Sequence, residues 1–127
     1  MMNKRILICD DDTDILSICT YILEEQNWEV HTKTNCIDIT EAVRSIKPSV
    51  ILMDNWIPDT GGIVATQSIK ADPELNNIPI IYFSANNDIK SLAKEAGADA
   101  FLEKPFDIED LERVVLSVLK QFSNTNT

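Results

Sequence analysis

The sequence has 127 residues, of which 44% are hydrophobic and 25% are charged. This composition is enough for one domain with a single core, and it argues against a disordered chain. The formal net charge of -10 disfavours direct binding to the phosphate backbone of a nucleic acid. No apolar stretch approaches the ~20 residues of a membrane-spanning helix, and no signal peptide is recognisable. We therefore expect a cytoplasmic protein without membrane insertion.

Five short β-branched or apolar runs predict β-strands, and each is followed by a helical pattern. The first, third and fourth runs are continuously apolar, which is typical of strands buried on both faces. The second and fifth are shorter or more mixed, which favours the edges of a sheet. The predicted strands are Arg5–Cys9, Glu29–Lys33, Val50–Asp54, Ile80–Ser84 and Ala100–Glu103.

Apolar side chains at helical spacing predict the segments between these strands. The clearest stripes are Ile15, Cys19, Ile22 and Leu23, then Ile39, Ala42, Val43 and Ile46, then Ile108, Leu111, Val115, Val118 and Phe122. The segments Ile63–Ala71 and Ile89–Ala96 are shorter. Alternating strands and helices predict an α/β fold with right-handed crossovers: a doubly wound (βα)₅ domain with a parallel sheet in the flavodoxin-like order 2-1-3-4-5. We expect the domain to cover residues 1–122 and residues 123–127 to form a polar C-terminal tail.

The cysteines and the single histidine carry little chemical signal. Cys9 and Cys19 fall on apolar faces and are expected to be reduced, structural thiols. Cys36 is expected to open a helix, where it could be exposed. His31 lies within the second predicted strand and is interpreted as structural.

Polar side chains stand at the end of four of the five predicted strands or directly after it. They are Asp10, Asp11, Asp12, Asp54, Ser84 and Lys104. In a doubly wound sheet, ligands bind beyond the carboxyl ends of the strands, so these residues are expected to meet at one site. Clustered carboxylates need a compensating cation, and Mg²⁺ prefers oxygen ligands. Asp54 could then act as a nucleophile toward a phosphoryl group that Ser84 and Lys104 contact from the other side. Either Asp12 or its neighbour Thr13 is expected to cap the first helix instead.

Four segments of the chain resemble the response-regulator receiver family of two-component signalling. The matching stretches are ILICDDD at 6–12, VILMDNWIPDTGG at 50–62, IPIIYFSAN at 78–86 and GADAFLEKPF at 97–106. They occur in the family's order from one end of the chain to the other, and together they are specific although each alone is weak. The likeness is to single-domain receivers of the chemotaxis-regulator kind.

The resemblance implies a role for each residue of the predicted site. Asp54 matches the phosphoacceptor, and Lys104 matches the phosphate-contacting lysine, followed by a cis bond to Pro105. Ser84 and Phe101 match the switch hydroxyl and the switch aromatic. The implied Mg²⁺ ligands are Asp10 (mostly through water), Asp11, Asp54 and the backbone carbonyl of Trp56.

The resemblance also implies partners. Asp54 would receive a phosphoryl group from the phosphohistidine of a sensor histidine kinase or of a histidine phosphotransfer protein. A downstream protein target would then bind the face formed by the fourth helix, the fifth strand and the fifth helix. Such a chain is not an enzyme beyond catalysing its own phosphorylation and slow dephosphorylation. It is either a stand-alone receiver or a piece of a longer protein.

The sequence departs from the family pattern mainly at Trp56, two residues after the acceptor, where a smaller side chain is commoner. A bulky indole there is expected to hinder hydrolysis and to give a phosphoryl state that lasts many minutes. Gly61 replaces a frequent acidic residue, Ser84 replaces the commoner threonine, and Phe101 lacks the hydroxyl of the commoner tyrosine.

Two other function classes remain open from the sequence. One is a haloacid-dehalogenase-like phosphatase with Asp10 as the nucleophile of a D-x-D motif. Against it, Asp14 stands where a hydroxyl residue is expected, and the chain is short for a substrate-capping domain. The other is a non-switching interaction module with a receiver-like site. Phosphorylation by a small phosphodonor would discriminate between these hypotheses.

Overall fold

A computed structural model describes residues 4–58, 60–85 and 87–125 and has the predicted parallel sheet, in the order β2-β1-β3-β4-β5. All five predicted strands are confirmed, with β2 and β5 at the edges. The strands are β1 (Arg5–Cys9), β2 (Glu29–Lys33), β3 (Val50–Asp54), β4 (Ile80–Ser84) and β5 (Ala100–Glu103). The three central strands are almost wholly buried, as their unbroken apolar runs predict.

Each strand is followed by a helix, which confirms the doubly wound (βα)₅ fold of the flavodoxin-like class. The helices are α1 (Thr13–Glu24), α2 (Ile39–Ile46), α3 (Gly62–Ala71), α4 (Ile89–Ala96) and α5 (Ile108–Thr125). The expected polar tail therefore begins within α5, and residues 126 and 127 lie outside the described residues, as does the side chain of Phe122. No helix in the described ranges is both long enough and apolar enough to span a membrane.

Successive residues of each central strand point to opposite faces of the sheet, and so divide the core into two layers. One layer holds Leu7, Ile51 and Tyr82 of the sheet against α2, α3 and α4. The other holds Ile8 and Leu52 against α1 and α5. Because helices cover both faces of the sheet, a ligand can reach its central strands only at their ends.

Two expectations about side chains are wrong. Cys36 is only 4% exposed and precedes α2 instead of opening it. Its backbone N–H donates to the carbonyl of Pro58 at 3.0 Å, so the loop after β3 covers it. Ile108 is exposed as the first residue of α5, and the buried positions of that helix begin at Leu111.

Candidate functional site

The carboxyl ends of the central strands meet at one edge of the sheet because the strands are parallel and closely in register. Cys9 pairs with Met53, and Asp54 pairs with Phe83 on the next strand. Asp54 and Ser84 are the last residues of β3 and β4, and Asp10 and Lys104 are the first residues after β1 and β5. The predicted convergence of Asp10, Asp54, Ser84 and Lys104 at this edge is therefore observed.

Lys104 joins two buried carboxylates at the centre of this edge. Its Nζ lies 2.8 Å from Oδ2 of Asp10 and 2.8 Å from Oδ1 of Asp54. The Asp10 side chain is 1% exposed, and that of Lys104 is 17% exposed. The ammonium also lies 4.5 Å from the centre of the Phe83 ring, which adds a cation–π contact. The Lys104–Pro105 bond is cis, as the resemblance implies.

The second oxygen of each carboxylate accepts a backbone N–H. Asp12 donates to Oδ1 of Asp10 at 2.9 Å, and Trp56 donates to Oδ2 of Asp54 at 3.0 Å. A carboxylate has about four lone-pair positions, so one hydrogen bond on each oxygen leaves room for further ligands. Both carboxylates are thus held in fixed orientations and keep the capacity to bind a cation.

Burial and charge shift the pKa values of this cluster. Burial raises the pKa of Asp10 above its ordinary value, although the hydrogen bond from Lys104 opposes that shift. Burial disfavours the ammonium of Lys104, but hydrogen bonds to Asp10 and Asp54 outweigh it and raise the pKa of the lysine. Both pKa values are raised: for Asp10 because burial disfavours its charged form, and for Lys104 because its hydrogen bonds favour its charged form.

The acidic residues of the edge fit a hard divalent cation. Among the described residues, Asp10, Asp11 and Asp54 offer carboxylate oxygens that all lie within 4.8 Å of one another. Asp11 is exposed, so one side of the group faces solvent. Three carboxylates face one ammonium, and an oxygen-only set open to water suits Mg²⁺, which keeps several of its waters.

The other predicted site residues lie on β4, on β5 and in the loops that follow β1 and β3. Ser84 ends β4 and is buried, and its carbonyl accepts the backbone N–H of Lys104 at 2.9 Å. The indole of Trp56 is 73% exposed, and Phe101 on β5 is 43% exposed. Asp12 is the N-cap of α1, where its Oδ1 accepts the N–H groups of Asp14 and Ile15, which confirms the capping prediction.

One feature beside the site was not found from the sequence. The hydroxyl of Tyr82 on β4 donates to Oδ1 of Asn55, the residue after Asp54, in a buried hydrogen bond. Two signals were available: a hydroxyl within the apolar run of β4, and an amide directly after a candidate nucleophile. Neither indicates a contact, because the two residues are 27 positions apart.

The comparisons with known proteins concern the family and the fold of the chain. A family model described as the response regulator receiver domain matches residues 6–116. The chain is 26% identical to a CheY-like response regulator receiver domain protein from Methanospirillum hungatei JF-1, with a TM-score of 0.86 over 98% of this chain and 99% of that chain. It also has the fold of the receiver domain of a sensor histidine kinase from Pseudomonas aeruginosa PAO1, at 24% identity, with a TM-score of 0.85 over 94% of this chain and 99% of that chain. That structure has a magnesium ion coordinated in its active site cleft.

Among curated proteins, the chain is 34% identical over 107 residues to the CAI-1 autoinducer sensor kinase/phosphatase CqsS of Vibrio cholerae serotype O1. The match covers 82% of this chain and only 16% of that much longer protein. The likeness therefore concerns one domain of CqsS.

Proposed function

Because the chain belongs to the response regulator receiver domain family of two-component signalling, we propose that it is a phosphoacceptor whose Asp54 is phosphorylated in the presence of Mg²⁺. The observation that carries the proposal is the joint placement of Asp10, Asp54 and Lys104 around one position at the edge of the sheet. The donor would be the phosphohistidine of a sensor histidine kinase or of a histidine phosphotransfer protein.

In the proposed reaction, a carboxylate oxygen of Asp54 attacks the phosphorus of the donor. A new O–P bond forms while the P–N bond to the donor histidine breaks, and the released imidazole takes a proton from solvent. Lys104 would contact the transferred group as a point charge, and the Ser84 hydroxyl would donate a hydrogen bond to it. No general base is needed, because the protein's part in such a reaction is mainly to position groups and to neutralise charge.

Asp10, Asp11, Asp54 and the carbonyl of Trp56 would hold the Mg²⁺ ion. The ion would supply positive charge that offsets the repulsion between the carboxylates and the incoming phosphoryl oxygens. The chain's own part is positioning: Lys104 and two backbone N–H groups orient the carboxylates before the donor arrives.

Phosphorylation would change the surface formed by α4, β5 and α5. An added phosphoryl group carries ~1.5–2 negative charges. Ser84 would move toward it, and Phe101, which is partly exposed, would rotate inward into the space that opens. The driving force for Phe101 would be packing, since its ring has no hydroxyl. A downstream protein would bind this surface with different affinity in the two states.

The direct test is incubation with acetyl phosphate and Mg²⁺, followed by intact-mass measurement of the wild type and of Asp54→Ala. We expect one phosphoryl group on the wild type and none on the variant, whereas Asp10→Ala should keep Asp54 as the labelled residue at a lower yield. Label that survives in Asp54→Ala but not in Asp10→Ala would favour the phosphatase hypothesis. An unlabelled wild type would favour the non-switching module.

The exposed indole of Trp56 supports a long-lived phosphoryl state. The backbone N–H of Trp56 donates to Oδ2 of Asp54, so the indole extends from a residue that is bonded to the carboxylate and would shield the phosphoryl group from water. Replacing it in Trp56→Asn is expected to shorten the phosphoryl half-life severalfold. Tyr21→Asn, a change of an exposed aromatic residue on α1, serves as the control, and equal half-lives in all three proteins would contradict the shielding.

A further inference from the structure

The hydrogen bond between Tyr82 and Asn55 lies inside an apolar layer of the core. Tyr82 is fully buried on β4, between the sheet and the helices α2, α3 and α4, and Asn55 is nearly buried. Its hydroxyl donates to Oδ1 of the amide. A buried amide or hydroxyl costs free energy unless it is paired, so each of these groups depends on the other.

Asn55 is held from a second side by the first residue of α3. The N–H of Gly62 donates to the carbonyl of Asn55 at 3.1 Å. A Cβ atom at Gly62 would lie 2.2 Å from the carbonyl oxygen of Asp54 and 2.9 Å from the Tyr82 hydroxyl. Only glycine allows this approach, so α3 packs directly on the backbone of the loop after β3. We call these three residues, Tyr82, Asn55 and Gly62, the loop clamp.

The loop clamp holds the backbone between Asp54 and Trp56, which are both part of the proposed magnesium site. Asn55 stands between Asp54, the proposed phosphoacceptor, and Trp56, whose carbonyl is a proposed metal ligand. The N–H of Trp56 is already tied to Oδ2 of Asp54 at 3.0 Å. Holding the side chain and carbonyl of Asn55 therefore fixes the direction in which the Trp56 peptide leaves β3.

We infer that Tyr82 and Asn55 are positioning residues for Mg²⁺ binding, which act through the Asp54–Trp56 backbone without contacting the ion. The inference rests on the proposed function, since it concerns the metal of that site. Without the Tyr82 hydroxyl, the amide of Asn55 loses its buried partner, and the loop must rearrange to hydrate it. The Trp56 carbonyl then moves relative to the carboxylates.

The test is a Mg²⁺ titration of the wild type, Tyr82→Phe, Asn55→Leu and the double variant, with tryptophan fluorescence as the readout of binding. Trp56 is the exposed tryptophan beside the site, whereas Trp28 is buried in the other layer of the core. Loss of a group that orients a metal ligand commonly weakens metal binding ~10–100-fold, and we expect about tenfold weaker binding in each single variant. Because both changes break the same hydrogen bond, the double variant should bind no more weakly than the weaker single variant.

Thr66→Val is the matched control, because it also removes a buried hydroxyl from the region around α3. The Thr66 hydroxyl has no hydrogen-bond partner among the residues that the structure describes. Its removal should leave Mg²⁺ affinity unchanged. Thermal unfolding of all variants in a metal chelator separates positioning from general stability.

Several results would overturn the inference. Tyr82→Phe could bind Mg²⁺ as tightly as the wild type while melting at a lower temperature, which would make the hydrogen bond merely structural. The losses of affinity in the two single variants could multiply in the double variant, which would make the residues independent. If the wild type is labelled by acetyl phosphate and either result is found, the inference fails alone. If the wild type binds no Mg²⁺ and is not labelled, it fails together with the proposed function.

Discussion

Two clusters of ionisable side chains in this domain differ in how far their carboxylates are buried. The rim cluster consists of Asp10, Asp54 and Lys104, in which one ammonium serves two buried carboxylates. The edge cluster, which is separate from the functional site, consists of Arg5 on β1 and of Glu29 and His31 on the edge strand β2. In it, one carboxylate, 57% exposed, lies 2.9 Å from the arginine Nε and 2.5 Å from the histidine Nε2. Water screens the charges of the edge cluster, whereas the protein itself must neutralise those of the rim cluster.

The pKa shifts of the two clusters have opposite signs. Burial raises the pKa of Asp10, so its negative charge costs stability in the folded protein. Glu29 is not desolvated to any comparable extent. Its hydrogen bond with His31, together with Arg5, lowers its pKa, so its negative charge contributes stability. The charge of Asp10 thus lowers the stability of the folded protein unless a cation offsets it. The charge of Glu29, by contrast, raises that stability.

The largest expected effect is the loss of the shared cation in Lys104→Met. Methionine keeps the contact with the Phe83 ring but leaves Asp10 and Asp54 without their common partner. Breaking a buried ion pair commonly costs ~3–5 kcal/mol, and we expect about 3 kcal/mol of unfolding free energy to be lost without metal, as measured by urea denaturation. Millimolar Mg²⁺ should restore part of this loss, because a cation at the site replaces some of the missing positive charge.

Lys70→Met is a suitable control for this effect. Lys70 is also partly buried and lies 2.7 Å from a carboxylate oxygen of Asp99, but that pair is not part of the rim cluster. Its loss of stability should not respond to Mg²⁺. An equal response of the two variants to Mg²⁺ would show that the rim cluster does not bind the ion.

A smaller and opposite effect is expected for Asp10→Asn. Asparagine removes the buried charge but keeps only one acceptor oxygen, so it can accept from Lys104 or from the N–H of Asp12, which bond to different oxygens of Asp10, and one of these hydrogen bonds is lost. In the absence of metal, removal of the unfavourable charge should outweigh the lost hydrogen bond and leave the variant more stable than the wild type by about 1 kcal/mol, within the ~0.5–2 kcal/mol range of single stabilising substitutions. It should also bind Mg²⁺ more weakly.

The sign of this effect can be checked by pH. The folded-state pKa of Asp10 is raised, so the cost of its charge is present above that pKa and disappears as the pH falls through it. The advantage of Asp10→Asn should therefore shrink in acid. An advantage that grows as the pH falls would mean that the charge of Asp10 is stabilising.

The fold was predictable because its main signals are local. The apolar runs of β1, β3 and β4 gave their correct bounds, and alternation with helices gave the parallel sheet. The convergence of Asp10, Asp54 and Lys104 followed from topology alone, since parallel strands end at the same edge. That one ammonium lies 2.8 Å from both carboxylates did not follow, because the position of a long side chain depends on the packing around it.

What the sequence could not predict involves contacts between distant loops. Cys36 is covered by the loop that carries Pro58, which no periodic pattern around residue 36 indicates. Tyr82 lies in a strand buried on both faces, where alternation gives no information about what each residue contacts. The contacts of Glu29 with His31 and Arg5 were likewise not predicted. The sequence pattern of an edge strand indicates which side chains face solvent but not which of them contact one another.

The smallest expected effect is Glu29→Gln, which removes the central charge of the edge cluster. The ordinary pKa of this carboxyl is 4.5, and its folded-state pKa is lower. Its contribution to stability is therefore complete above pH 4.5 and is lost as the pH falls through the folded-state value. At neutral pH the variant should be only slightly less stable than the wild type, and the difference should vanish in acid and in high salt. Glu24→Gln, which removes one negative charge from the end of α1, controls for net charge. A difference that persists in high salt, or a loss as large as that of Lys104→Met, would mean that exposure does not separate the two clusters.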